Sequence, residues 1–94
     1  MEILDIILTD DVLDKIIWKH NISELELRQV MNNQPSIRFM EKGKVKGENL
    51  YVGLGTTDAG RYVSVFFIMK KNKKALIVTA RDMTERERRK YAEK

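Results

Sequence analysis

The stretch Asn49-Leu-Tyr-Val-Gly-Leu-Gly-Thr-Thr-Asp-Ala-Gly-Arg-Tyr-Val-Ser-Val-Phe-Phe-Ile-Met69 decides the fold class. Leu50, Val52 and Leu54 alternate with Asn49, Tyr51 and Gly53, which is the period of a strand with one buried face. Thr56-Thr-Asp-Ala-Gly60 reads as a hairpin turn. Residues 61–69 are apolar on both faces in their middle, so they are expected to be the central strand. Two further strands flank this pair. One starts at Ser36, where Ile37 and Phe39 alternate with Ser36 and Arg38. The other is Ala75-Leu-Ile-Val-Thr-Ala80, reached through the lysine-rich turn at 70–74.

Outside the sheet the period becomes helical. Thr9 or Asp10 can cap a helix over 10–20, with Val12, Leu13, Ile16, Ile17 and His20 on one side and Trp18 on the other. Asn21 suits the left-handed residue that ends a helix. Ser23 and Glu26 form a capping box for a second helix over 23–32, and Ile22 with Leu27 has hydrophobic-staple spacing. Thr84 and Glu87 form another capping box and open a C-terminal helix. Residues 2–8 read as a strand or an extended lead-in. The expected architecture is therefore α+β: a four-stranded antiparallel sheet over 36–81, two N-terminal helices on one face, and a C-terminal helix, all in a single domain over 1–94.

Composition narrows the chemistry. With 94 residues, 43% hydrophobic and 34% charged, the chain fits one soluble globular domain. The absence of cysteine excludes disulfides, thiolate metal sites and a cysteine nucleophile, and a single histidine excludes a multi-histidine metal site in one chain. No cofactor is expected. The longest apolar run, residues 63–69, is far short of a membrane span. Residues 1–8 carry no basic leader or cleavage signature, so no signal peptide is expected. A net charge of +4 favours an anionic partner, either nucleic acid or an acidic protein.

Strand parity nominates a polar face. If Leu50, Val52 and Leu54, and likewise Leu76, Val78 and Ala80, point to the core, then Tyr51, Thr79 and Arg81 point away, joined by Tyr62 and Ser64. Tyrosines for stacking with hydroxyls and a guanidinium for phosphate suit RNA; an ordinary half-solvated sheet has the same pattern. Arg81 stands just before a helix N-terminus, an arrangement suited to an anion, with a pair to Asp82 or a nearby glutamate as the competing arrangement. His20 is either a core histidine bonded to a carbonyl or, beside Lys19 at a helix C-terminus, a proton carrier with electrostatic support. Glu48 and Glu41 are candidate complementary bases. Arg88 and Tyr91 lie nearer the docked side of the last helix.

Four segments together, KHNISELELRQVM (19–31), GENLYVGLG (47–55), AGRYVSVFF (59–67) and TARDMTERERRKY (79–91), resemble the BrnT family of type II toxins, which has a RelE-like ribonuclease fold. The resemblance implies cleavage of RNA without a metal, and neutralisation by a DNA-binding antitoxin. It implies a cytoplasmic protein with no membrane partner, acting on RNA, with ribosome-bound mRNA as one form. The assembly would be a homodimer or a toxin–antitoxin hetero-oligomer. Carried over by position, it points to Lys19, His20, Glu48, Arg61, Arg81, Arg88 and Tyr91. Two departures stand out: Leu8-Thr9-Asp10 replaces a Trp-Asp pair, and Leu50 stands where many members carry arginine. The second motivates an alternative, an RNA- or ribosome-binding module, or a protein-interaction domain, with weakened catalysis.

Overall fold

The computed structural model describes residues 1–93. Its elements run β1 (Asp5–Ile7), α1 (Asp10–His20), α2 (Glu24–Asn32), β2 (Ser36–Glu41), β3 (Leu50–Thr56), β4 (Tyr62–Lys70), β5 (Lys74–Asp82) and α3 (Glu85–Ala92). The sheet order is β1-β5-β4-β3-β2. The four strands over 36–82 form an antiparallel meander, and β4 lies at its centre as the apolar run predicts.

The expected four-stranded antiparallel sheet is corrected in one respect: the sheet is five-stranded and mixed. Asp5, Ile6 and Ile7 pair in parallel with Lys74, Ala75 and Leu76. A three-residue strand carries too little alternation to name its partner, so the lead-in and strand readings of 2–8 were indistinguishable by pattern.

Capping fixes the helices. The Thr9 hydroxyl accepts from the Val12 amide, and Asn21 closes α1 in the left-handed conformation with its N–H on the Ile17 carbonyl at 3.0 Å. Ser23 and Glu26 close the capping box of α2, each accepting from the other's amide at 3.1 and 3.0 Å. Each such cap contributes about 1 kcal/mol. The short Asn21–Ser23 joint sends α2 back over the sheet.

Both sheet faces are covered, and this changes the expected parity. Ile16 of α1, with Leu27 and Val30 of α2, packs on Val63, Val65, Phe67, Ile77 and Ala80. Val52 and Leu54 instead face α3, in a second cluster with Met83, Phe66 and Tyr91. The β3 residues under α2 are the glycines. A side chain at Gly55 would press on Val30 and Pro35, so its bare backbone is what lets the helix close on the strand. Along β5, a register shift at Phe66/Phe67 breaks the alternation. Ala75 and Ile77 therefore take core positions, while Val78 is exposed and Leu76 only half-buried. Ala80 is buried as expected, with Thr79 opposite Phe66 and Arg81 opposite Ser64 on the α3 side. The face that carries Ser64, Thr79 and Arg81 thus has α3 packed across it.

Candidate functional site

The start of β4 and the end of β5 meet at one end of the sheet, where Val63 pairs with Asp82 and Ser64 with Arg81. Alternation sends Arg61 toward the α1–α2 joint and Tyr62 toward α3. Arg61 uses all three of its nitrogens. Nε and Nη2 fork onto Asp82 at 2.7 and 3.2 Å, Nη2 also reaches the His20 carbonyl at 3.1 Å, and Nη1 donates to the Asn21 carbonyl at 2.8 Å and to Glu26. These carbonyls end α1, where the dipole is negative, so the guanidinium acts as a clamp between two helices and two strands. The Arg61 hydrogen bonds hold the Asp82 carboxyl below its ordinary range against a smaller effect of burial, and the charge of nearby His20 adds a little. The Ser23 amide and Arg61 do the same for Glu26.

Arg81, on the α3 side, is also engaged. Its two terminal nitrogens fork onto Glu87 at 2.7 and 2.9 Å, and its guanidinium lies 5.0 Å from the Phe66 ring centre. The fully buried Ser64 donates to the same Glu87 carboxylate at 2.9 Å. Burial pushes the Glu87 carboxyl up, but the bonds from Arg81, the Thr84 amide and Ser64 outweigh it and hold the group low. The competing arrangement for Arg81, a pair with a nearby glutamate, is therefore the one observed.

A cleft of about 700 Å³ opens beside this pair, lined by Tyr62, Met83, Arg88 and Tyr91 among others. The Arg88 guanidinium lies 4.2 Å from the Tyr62 ring centre, and the Tyr62 and Tyr91 rings meet edge-on at 6.0 Å. Arg89 is tied to Glu85, whereas Arg88 has no carboxylate partner among the described residues. It is a cation presented on an aromatic surface with its donors free for an anion. Arg38, which the sequence reading passed over as a candidate, donates from β2 to the Lys90 carbonyl at 3.1 Å and holds the last turn of α3 in place. Its place opposite Ile37 and Phe39 in the alternation was the available signal.

The remaining expected residues do not join this cleft. Tyr51 lies on the α1–α2 face, its ring stacked 5.8 Å from that of Phe67. The inferred polar parity fails there because α3 takes the leucine side of β3. Glu48 is tied to Lys70 at 2.9 Å, at the end of β4 opposite to Arg61. With about 3.3 Å per residue, that is roughly 25–30 Å away, so Glu48 cannot be a base complementary to His20. Lys19 is exposed and the His20 side chain half-buried, across the Arg61–Asp82 clamp from the cleft. Thr79 is half-buried on the α3 side.

The family model for the ribonuclease toxin BrnT of type II toxin–antitoxin systems matches residues 13–87. The chain belongs to the BrnT family. No curated protein matches it. Membership makes the chain a ribonuclease toxin, with RNA as the implied substrate and an antitoxin as the implied partner. The match takes in the Arg61 clamp and the Arg81–Glu87 fork, and Arg88 and Tyr91 follow directly after it in α3. Among the described residues of this BrnT chain, no helix is long and apolar enough to cross a membrane.

Proposed function

We propose that this BrnT chain is an endoribonuclease that works without a metal ion and grips RNA in the cleft between α3 and the start of β4. The observation that carries the reading is Arg88, a guanidinium over the Tyr62 ring with no carboxylate partner among the described residues. A phosphodiester oxygen suits its free donors, and a splayed base suits the faces of Tyr62 and Tyr91.

Internal cleavage of RNA needs no external nucleophile. The ribose 2′-oxygen bonds to the adjacent phosphorus, the bond from phosphorus to the 5′-oxygen breaks, one proton leaves the 2′-hydroxyl and one reaches the departing oxygen. The protein must supply a base, an acid and positive charge on the phosphoryl oxygens. Arg88 supplies the charge. His20 lies across the Arg61–Asp82 clamp, so the hydroxyls of Tyr62 and Tyr91, which line the cleft with Arg88, are the side chains placed for the proton steps. On this reading the toxin acts in the cytoplasm.

A labelled RNA incubated with purified protein in excess chelator tests this. Cleavage leaving 2′,3′-cyclic phosphate ends is expected, and Arg88→Ala should slow it by about 10- to 100-fold, the loss of one charge-assisted contact, with the fold intact. An Arg88→Ala protein as fast as the parent would remove the cleft from the site, and dependence on added metal would remove the metal-free mechanism.

A second reading has its own observation. Arg61 and Arg81, two of the arginines to which the family resemblance points, are both engaged by intramolecular partners, and Leu50 replaces a further arginine. An RNA-binding module that no longer cleaves would bind the same RNA in an Arg88-dependent way and release no cyclic-phosphate product.

A further inference from the structure

The opposite end of the sheet carries a second cavity, of about 360 Å³, where β4 ends and β5 begins. Lys46, Lys70, Lys71 and Lys74 line it, with Glu48 among them and Met69 beside them. Two turns build it. One is the 3₁₀ turn Lys71–Lys73, with Asn72 and Lys73 at φ of 64° and 59°. The other is the 42–49 loop, closed by the Gly43 amide on the Asn49 side chain at 3.2 Å and the Glu48 amide on the Val45 carbonyl at 3.1 Å. Gly43 lies so close to the Glu48 carbonyl that a side chain there would collide with it, so the loop is drawn tight at its base.

The charge in this cavity is unbalanced. Glu48 pairs with Lys70, while Lys46, Lys71 and Lys74 have no ion pair among the described residues. We propose that this cavity is a second anion site that holds backbone phosphates of the RNA strand running out of the cleft, with Glu48 occupying Lys70 until a phosphate displaces it. The proposal rests on the ribonuclease reading for the identity of its ligand. Lysines are strongly hydrated point charges that suit phosphates, and they are depleted at the centres of protein–protein interfaces, so nucleic acid fits the patch better than an acidic protein. The separation from the cleft, roughly 27 Å along β4, corresponds to about eight stacked nucleotides at ~3.4 Å each, so only longer RNA can reach both.

The test compares the parent with a Lys46→Gln, Lys71→Gln, Lys74→Gln triple variant, all exposed, the first two on turns and Lys74 at the first position of β5, after a thermal melt confirms folding. Fluorescence anisotropy follows binding of a labelled RNA of about 30 nucleotides across a salt series, and a tetranucleotide too short to span the two sites reports cleft activity. The triple variant should bind the long RNA about 10- to 100-fold more weakly, and its salt slope should fall by about 2, three contacts at ~0.7 each. It should treat the tetranucleotide as the parent does. Glu48→Gln, which frees Lys70, should bind the long RNA more tightly than the parent. Equal affinity and slope for parent and triple variant would overturn the proposal. Lost binding to poly-glutamate with unchanged RNA binding would overturn it in favour of an acidic protein partner. Binding of the long RNA is read without any cleavage, so a cleft that proves inactive is distinguishable from a lysine cavity that does not bind.

Discussion

The carboxylate of Glu87 receives both terminal nitrogens of Arg81, at 2.7 and 2.9 Å. The same carboxylate caps the helix it belongs to, through the Thr84 amide, and takes the hydroxyl of buried Ser64. One side chain therefore ties α3 to β4 and β5. Glu87→Gln keeps the shape and removes the charge, so it should cost about 1.5–3 kcal/mol. In a domain of this size each kcal/mol is about 4–8 °C in melting temperature, readable by circular dichroism. An unchanged melt would show that the fork does not hold α3. Arg81→Ala, which removes the other partner of the fork, should destabilise similarly.

Acid should loosen the same contacts. Glu87, Glu26 and Asp82 all have folded-state carboxyls below their ordinary values of 4.5, 4.5 and 3.8. As pH falls through those ordinary values the unfolded chain takes up protons first, so stability is complete above them and is lost progressively toward the lower folded-state values. Urea midpoints measured from neutral pH down through this range should decline, and Glu87→Gln should decline less steeply. A parent midpoint that stays flat down to the acid limit would contradict the assignment.

Arg61 should tolerate lysine poorly. A single ammonium cannot reach Asp82, Glu26 and the carbonyls of His20 and Asn21 together. Arg61→Lys is expected to cost about 1.5–3 kcal/mol, with hydrogen exchange speeding up at the Asn21–Ser23 joint before the sheet opens. Exchange rates at the joint equal to the parent's would show that the joint does not depend on the clamp.

Trp18 is 82% exposed and is the sole tryptophan. The free protein should therefore emit as a solvated indole, fully accessible to a neutral quencher. Trp18→Ala should change stability by no more than about 0.5 kcal/mol. A blue-shifted, protected emission from the monomer would mean that the outer side of α1 is covered.

Local chemistry was legible in the sequence, and relations between distant segments were not. Caps at Thr9, Ser23 and Thr84 are written within a few residues, and all three form. The central place of β4 was legible because only a strand with both faces and both edges covered needs so many apolar residues in succession. Which helix covers which face was not. Leucines and glycines alternate on β3, and the glycine side turned out to admit the closer helix. The shift at Phe66/Phe67 put Ile77 rather than Val78 in the core, and no residue there announces a bulge. Within the site, Tyr62, Arg88 and Tyr91 were named and do converge. Glu48 was misassigned because its distance from His20 depends on strand register, which a motif does not encode.

The pairing of β1 with β5 orders events during synthesis. Residues 5–7 leave the ribosome well before residues 74–76, whose backbone groups they bond to. In a growing chain β1 stays unpaired until residues 74–76 have been made. The Arg61 clamp waits as well, because it needs Asp82. Both ends of the sheet are thus completed by the same late strand. A fragment released early has neither the lysine cavity nor the cleft, so a ribosome that stalls before residue 74 releases no working toxin.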